Sequence, residues 1–68
     1  MKHEVNISRS QLAEIVDEWI LNERNRKILH RRLIDGITFE KLGEEFDLST
    51  GQVKNICYEG VDIIKNHV

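Results

Sequence analysis

The stretch TFEKLGEEFDLSTGQVKNI, Thr38 to Ile56, constrains the fold of this chain more than any other feature. Phe39, Leu42, Gly43 and Phe46 recur at helical spacing and share one face. Val53 and Ile56 do the same beyond a short break, Asp47-Leu48-Ser49. Thr38 and Ser49 each stand where a helix needs its first N–H groups satisfied, and Ser49 with Gln52 spells a capping box. Two short helices joined by so tight a turn must cross steeply, with their backbones close together. Gly43 is the small residue that such a crossing needs, and Leu48 is the apolar plug of the turn.

The flanking segments are helical as well. Ser8 and Gln11 form another capping pattern, and Leu12, Ile15, Val16, Trp19 and Ile20 follow as one apolar stripe. This first helix, over 8–21, is expected to carry Trp19 into the core. Asn22 either caps a second helix, about Glu23 to Asp35, or marks a bend in a continuous one. Ile28, Leu29 and Leu33 form its inner stripe, and Gly36 ends it in the left-handed conformation. The last helix has the stripe Val53, Ile56, Gly60, Ile63 and Ile64, with Cys57 packing beside Ile56. The expected fold is therefore all-α: a small bundle of four helices holding a helix-turn-helix, with a long C-terminal helix. The 68 residues make one domain, 1–68, with a thin core.

Composition excludes several classes of function. One cysteine allows no internal disulfide, and a reduced, cytoplasmic setting is the simplest expectation. The start, MKHEVNISRS, is polar and carries no signal-peptide pattern, and no apolar run approaches the ~18 residues of a membrane span. His3, His30 and His67 share no ligand spacing, so no metal is expected. No glycine-rich phosphate loop or nucleophile–base set appears, so neither a cofactor nor an enzyme is expected. The net charge of −2 is unevenly spread. Residues 1–23 hold two basic and five acidic side chains, residues 24–36 five and one, and residues 37–68 three and six. A positive block thus lies between two acidic flanks, a local basic face on an acidic chain. Glu40, Glu44, Glu45 and Asp47 read as a solvated face, with Lys41 and Glu45 spaced to pair.

If Val53 and Ile56 face inward, then Thr50, Gln52, Lys54, Asn55 and Tyr58 face outward. In a helix-turn-helix these positions enter the major groove of DNA. Residues 22–66, NRKILHRRLIDGITFEKLGEEFDLSTGQVKNICYEGVDII with its edges, resemble region 4 of bacterial sigma-70-type factors. They are also similar to the small sigma-like regulators of prophages and mobile elements. The resemblance implies double-stranded DNA as partner, together with RNA polymerase or an activator. It assigns phosphate contacts to Arg24 and Arg32, backbone contacts to Thr38 and its neighbours, and groove contacts to Thr50, Gly51, Gln52, Lys54 and Asn55. Where the family usually places Arg and Glu, this chain has Thr50 and Gly51, and where it places another Arg, Gln52. Base reading therefore falls to Thr50, Gln52, Lys54 and Asn55. Phosphate contacts fall to Arg24, Arg31, Arg32, Thr38, Lys41, Ser49 and Tyr58. Two further readings stand beside this one: a protein-interaction module docking on polymerase through its acidic flanks, and a homodimer formed through the first helix and Trp19.

Overall fold

The structure, a computed structural model, describes residues 8–67. Its helices are α1 (Arg9–Trp19), α2 (Glu23–Leu29), α3 (Phe39–Phe46) and α4 (Thr50–Lys65). No strand occurs among the described residues. A π-helical turn, His30–Ile34, continues α2. The expected single helix over Glu23 to Asp35 thus changes its winding midway. The N–H of Asp35 donates to the carbonyl of His30, five residues back, at 3.4 Å. Such a turn holds one residue more than an α turn, and spacing rules built on a period of 3.6 do not detect it.

Local chemistry fixes the helix starts. Ser8, Asn22, Thr38 and Ser49 are the N-caps of α1 to α4, each accepting a backbone N–H three residues on. At Ser8 and Ser49 the capping box closes, because Gln11 and Gln52 reach back to the cap N–H. Asn22 caps a separate helix, since Ile20 at the end of α1 is already extended. Gly36, with φ +71°, turns the chain out of the π turn, and the N–H of Ile37 bonds the Arg31 carbonyl at 3.1 Å.

α4 is the central element, in contact with α1, α2 and α3. The core is Val16, Ile20, Ile28, Leu29, Leu42, Val53, Cys57 and Ile64. Along α4 the buried line runs Val53, Cys57, Gly60, Ile64, in steps of four and three. Cys57 is therefore core, as expected, and burial pushes its thiol pKa up. Ile63, expected on the inner stripe, is 38% exposed, because it stands one residue off this line. Leu29 lies so close over Gly60 that a β-carbon there would come within 2.3 Å of its Cδ1.

Trp19 corrects a second expectation. It is 42% exposed, not core. It sits at the last residue of α1, beyond the layer formed by Val16 and Ile20. Its ring stacks flat on His67, past the end of α4, with centroids 3.7 Å apart. The seam between the two ends is therefore aromatic and half open to water. Among the described residues, no helix is long and apolar enough to cross a membrane.

Candidate nucleic-acid interface

The turn between α3 and α4 is built as its sequence implies. Asp47 ends α3 in the left-handed conformation, with φ 57°. Its N–H and that of Leu48 both donate to the Gly43 carbonyl, the latter at 2.8 Å. A β-carbon on Gly43 would stand 2.6 Å from the Leu48 carbonyl oxygen, so the turn folds back onto α3 at this residue. Ser49 then starts α4. Val53 and Cys57 hold that helix to the body, and Gln52, Lys54, Asn55 and Tyr58 are exposed, with Thr50 half-buried.

The base-facing set is not equally free. Gln52 Oε1 accepts the Ser49 N–H at 2.9 Å, which engages its acceptor and leaves its NH2 group to donate. Lys54 and Asn55 point into solvent from the second turn of the helix. The hydroxyls of Thr38 and Ser49 accept backbone N–H groups at 3.2 and 3.1 Å. Each keeps its own proton, a donor suited to a phosphate oxygen.

The basic residues divide around α3. Arg32 lies flat on the Phe39 ring, its guanidinium carbon 4.1 Å from the centroid, and its Nη1 donates to the Ile37 carbonyl at 3.1 Å. Lys54 brings its Nζ to 5.9 Å from the same centroid. Tyr58, 61% exposed, meets the ring edge-on at 6.3 Å. Arg32, Thr38, Lys54 and Tyr58 therefore surround the first residue of α3, next to the reading helix. Sequence spacing had put Phe39 on the inner face and given it no part in the site. The signal that could have found it is the spacing of Lys54 and Tyr58, one turn apart on α4.

Arg31 behaves differently. Its Nε donates to Glu45 Oε1 at 3.1 Å, its Nη2 bonds Glu45 Oε2, and its Nη1 reaches Asp35 at 3.4 Å. The hydrogen bond to Glu45 raises the Arg31 pKa further, and the same bond holds the Glu45 carboxyl below its ordinary range. Arg31, expected among the phosphate contacts, is thus engaged by two carboxylates. Glu45 pairs with Arg31 rather than with Lys41. Of the other two, Arg24 is exposed and hydrogen-bonds Asn25 at 3.2 Å, and Lys41 is exposed in the first turn of α3. Nearby, Arg26 ties the end of α1 to α2 by donating to the Ile20 carbonyl at 3.0 Å.

A helix-turn-helix whose second helix presents polar and basic residues, flanked by two capped helix starts and a cluster of cations, defines a DNA-binding domain of the three-helix kind. The chain belongs to the sigma-70 region 4 family, whose model matches residues 20–65. That family consists of DNA-binding helix-turn-helix domains and is not an enzyme family. The match begins just after α1, so α1 is an addition to the family's part of the chain. Neither a curated protein nor a solved structure matches the chain.

Proposed function

We propose that this protein is a sequence-specific transcription regulator that lays the N-terminal half of α4 in the major groove. The observation that carries this reading is the gathering of Arg32, Thr38, Lys54 and Tyr58 at the start of α3, beside the exposed turn of α4. Lys54 and Asn55 read base edges, with Thr50 and the NH2 group of Gln52 in support. Lysine and amide side chains are suited to guanine and adenine edges respectively. Arg24, Arg32, Thr38, Lys41, Ser49 and Tyr58 hold phosphates, helped by the free N–H groups at the helix starts. Arg31 is left out of this set, because two carboxylates engage it.

The acidic charge of the chain makes nonspecific DNA affinity weak, so binding rests on a matched site. RNA polymerase is the second partner in this proposal. The exposed Leu21 and Trp19, next to the acidic face Glu14, Asp17 and Glu18 of α1, favour a protein contact on the side added to the family domain. A second copy of the chain, joined through α1 and Trp19, is the competing occupant of that side. Sedimentation of the free protein separates the two.

The test is selection of bound DNA from a random pool, followed by a salt series on the selected sequence. An enriched sequence and a steep loss of affinity with salt are expected. The double variant Lys54→Ala, Asn55→Ala is expected to bind that sequence at least tenfold more weakly, since each good base contact discriminates by ~1–3 kcal/mol. No enriched sequence and no salt dependence would sink the proposal.

A further inference from the structure

We propose, resting on the DNA-binding reading above, that Phe39 is a positioning residue: its ring holds Arg32 and Lys54 toward the phosphate backbone without touching DNA itself. Phe39 is the first residue of α3, and the Thr38 cap next to it fixes the helix start. The ring is partly buried against the core, so its place is set by packing. Onto it come two cations from different parts of the chain. Arg32 arrives from the π turn before α3 and Lys54 from the second turn of α4. Tyr58 closes the edge of the ring at 79° to its plane.

An aromatic ring is chemically distinct from any other apolar residue here. Its face carries a negative quadrupole that attracts a cation lying over it. A guanidinium stacked flat on that face has its plane occupied and its edges open. The N–H groups lie in those edges, and they are what a phosphate accepts. Nη1 of Arg32 already donates to Ile37, which leaves Nε and Nη2 to meet a phosphate. The arginine is thus oriented before DNA arrives, and less side-chain freedom is lost on binding. Because the same ring also faces Lys54, the phosphate grip and the reading helix share one reference point. A leucine would fill the space without supplying that attraction.

The experiment uses the full chain and its selected DNA, with Phe39→Leu, Phe39→Met, Phe39→Tyr, Arg32→Ala and the Phe39→Leu, Arg32→Ala pair. Phe39→Leu and Phe39→Met are expected to bind about three- to tenfold more weakly, with a shallower salt dependence. Phe39→Tyr keeps the ring and restores wild-type affinity and slope. In the Arg32→Ala background, Phe39→Leu adds little further loss, because the residue it acts through is gone. A purely packing role would give the opposite pattern: equal losses in both backgrounds, tracking thermal stability and leaving the salt slope unchanged. That result, or Phe39→Leu binding as well as the wild type, overturns the proposal. Failure of the wild type itself to bind any DNA overturns the DNA-binding reading, and the role of Phe39 with it.

Discussion

Arg31 and Arg32 are neighbours in the chain, carry the same charge and leave the same π turn, yet they belong to opposite sides of α3. Arg31 turns to the side of Glu45 and Asp35, where its charge is answered within the protein. Arg32 turns to the side of Phe39, Lys54 and Tyr58, where cations gather and carboxylates do not pair with it. Successive residues of a helix point about 100° apart, which is enough to send two arginines to different tasks. One closes the bundle by pinning the π turn to the far end of α3. The other belongs to the surface beside the reading helix. A basic run in a sequence is therefore not one patch until its partners are known.

The variant with the largest expected effect removes the platform that both sides stand on. Gly43→Ala sets a β-carbon against the Leu48 carbonyl and forces α3 and α4 apart. A loss of ~1–3 kcal/mol of stability is expected in chemical denaturation, with DNA binding falling in parallel. Unchanged stability would mean that the crossing is looser than described.

The next pair sharpens the contrast directly. Arg32→Ala is expected to lower DNA affinity severalfold and to reduce the salt slope by about one, the effect of one lost phosphate contact. Arg31→Ala should lower the melting temperature slightly while leaving the salt slope near that of the wild type. Equal changes in slope for the two variants would break the division drawn here.

A smaller effect is expected from pH. The Arg31 hydrogen bond lowers the pKa of Glu45 in the folded protein. Its contribution to stability is therefore present above the ordinary value of 4.5 and is lost as pH falls through the lowered folded value. Glu45→Gln should flatten that acid limb and leave stability near neutrality almost unchanged, since the pair is exposed. Melting temperatures followed from pH 7 down to about pH 3 would detect it. An acid limb identical in the variant would mean that the pair contributes nothing.

The smallest effect is on the reading side alone. A β-carbon on Gly51 meets nothing within 4 Å, so Gly51→Ala is sterically free in the first turn of α4. A gain of up to ~0.5–1 kcal/mol in stability is expected, with no change in the far-side ion pairs. If DNA affinity falls despite that gain, the open space at Gly51 is where the groove comes closest.

Most of the fold was legible because its determinants are local. Each N-cap was visible as a Ser, Thr or Asn ahead of an apolar stripe, and Gly36 and Gly43 stood where a turn or crossing required them. What was not legible came from tertiary contact. Trp19 keeps the spacing of a core residue, but α1 ends where the core does, and only His67 lies beneath it. Glu45 has Lys41 one turn behind it, yet Arg31, fourteen residues earlier, takes the carboxylate. The site divides the same way. Lys54, Asn55 and Tyr58 could be read as outward from the positions of Val53 and Cys57 in the core. That Phe39 would draw Arg32 and Lys54 together required the fold.

The π turn at His30–Ile34 gives the chain one residue of slack in the middle of its basic block. Deleting a single residue there would restore ordinary α winding and turn everything after it by about 100° relative to α2. The two arginines would then exchange neighbours without either being substituted. A change of length at this turn is the shortest route by which related chains could trade a structural cation for a DNA-facing one. Aligned by residue type alone, such chains would look conserved while their working surfaces had rotated.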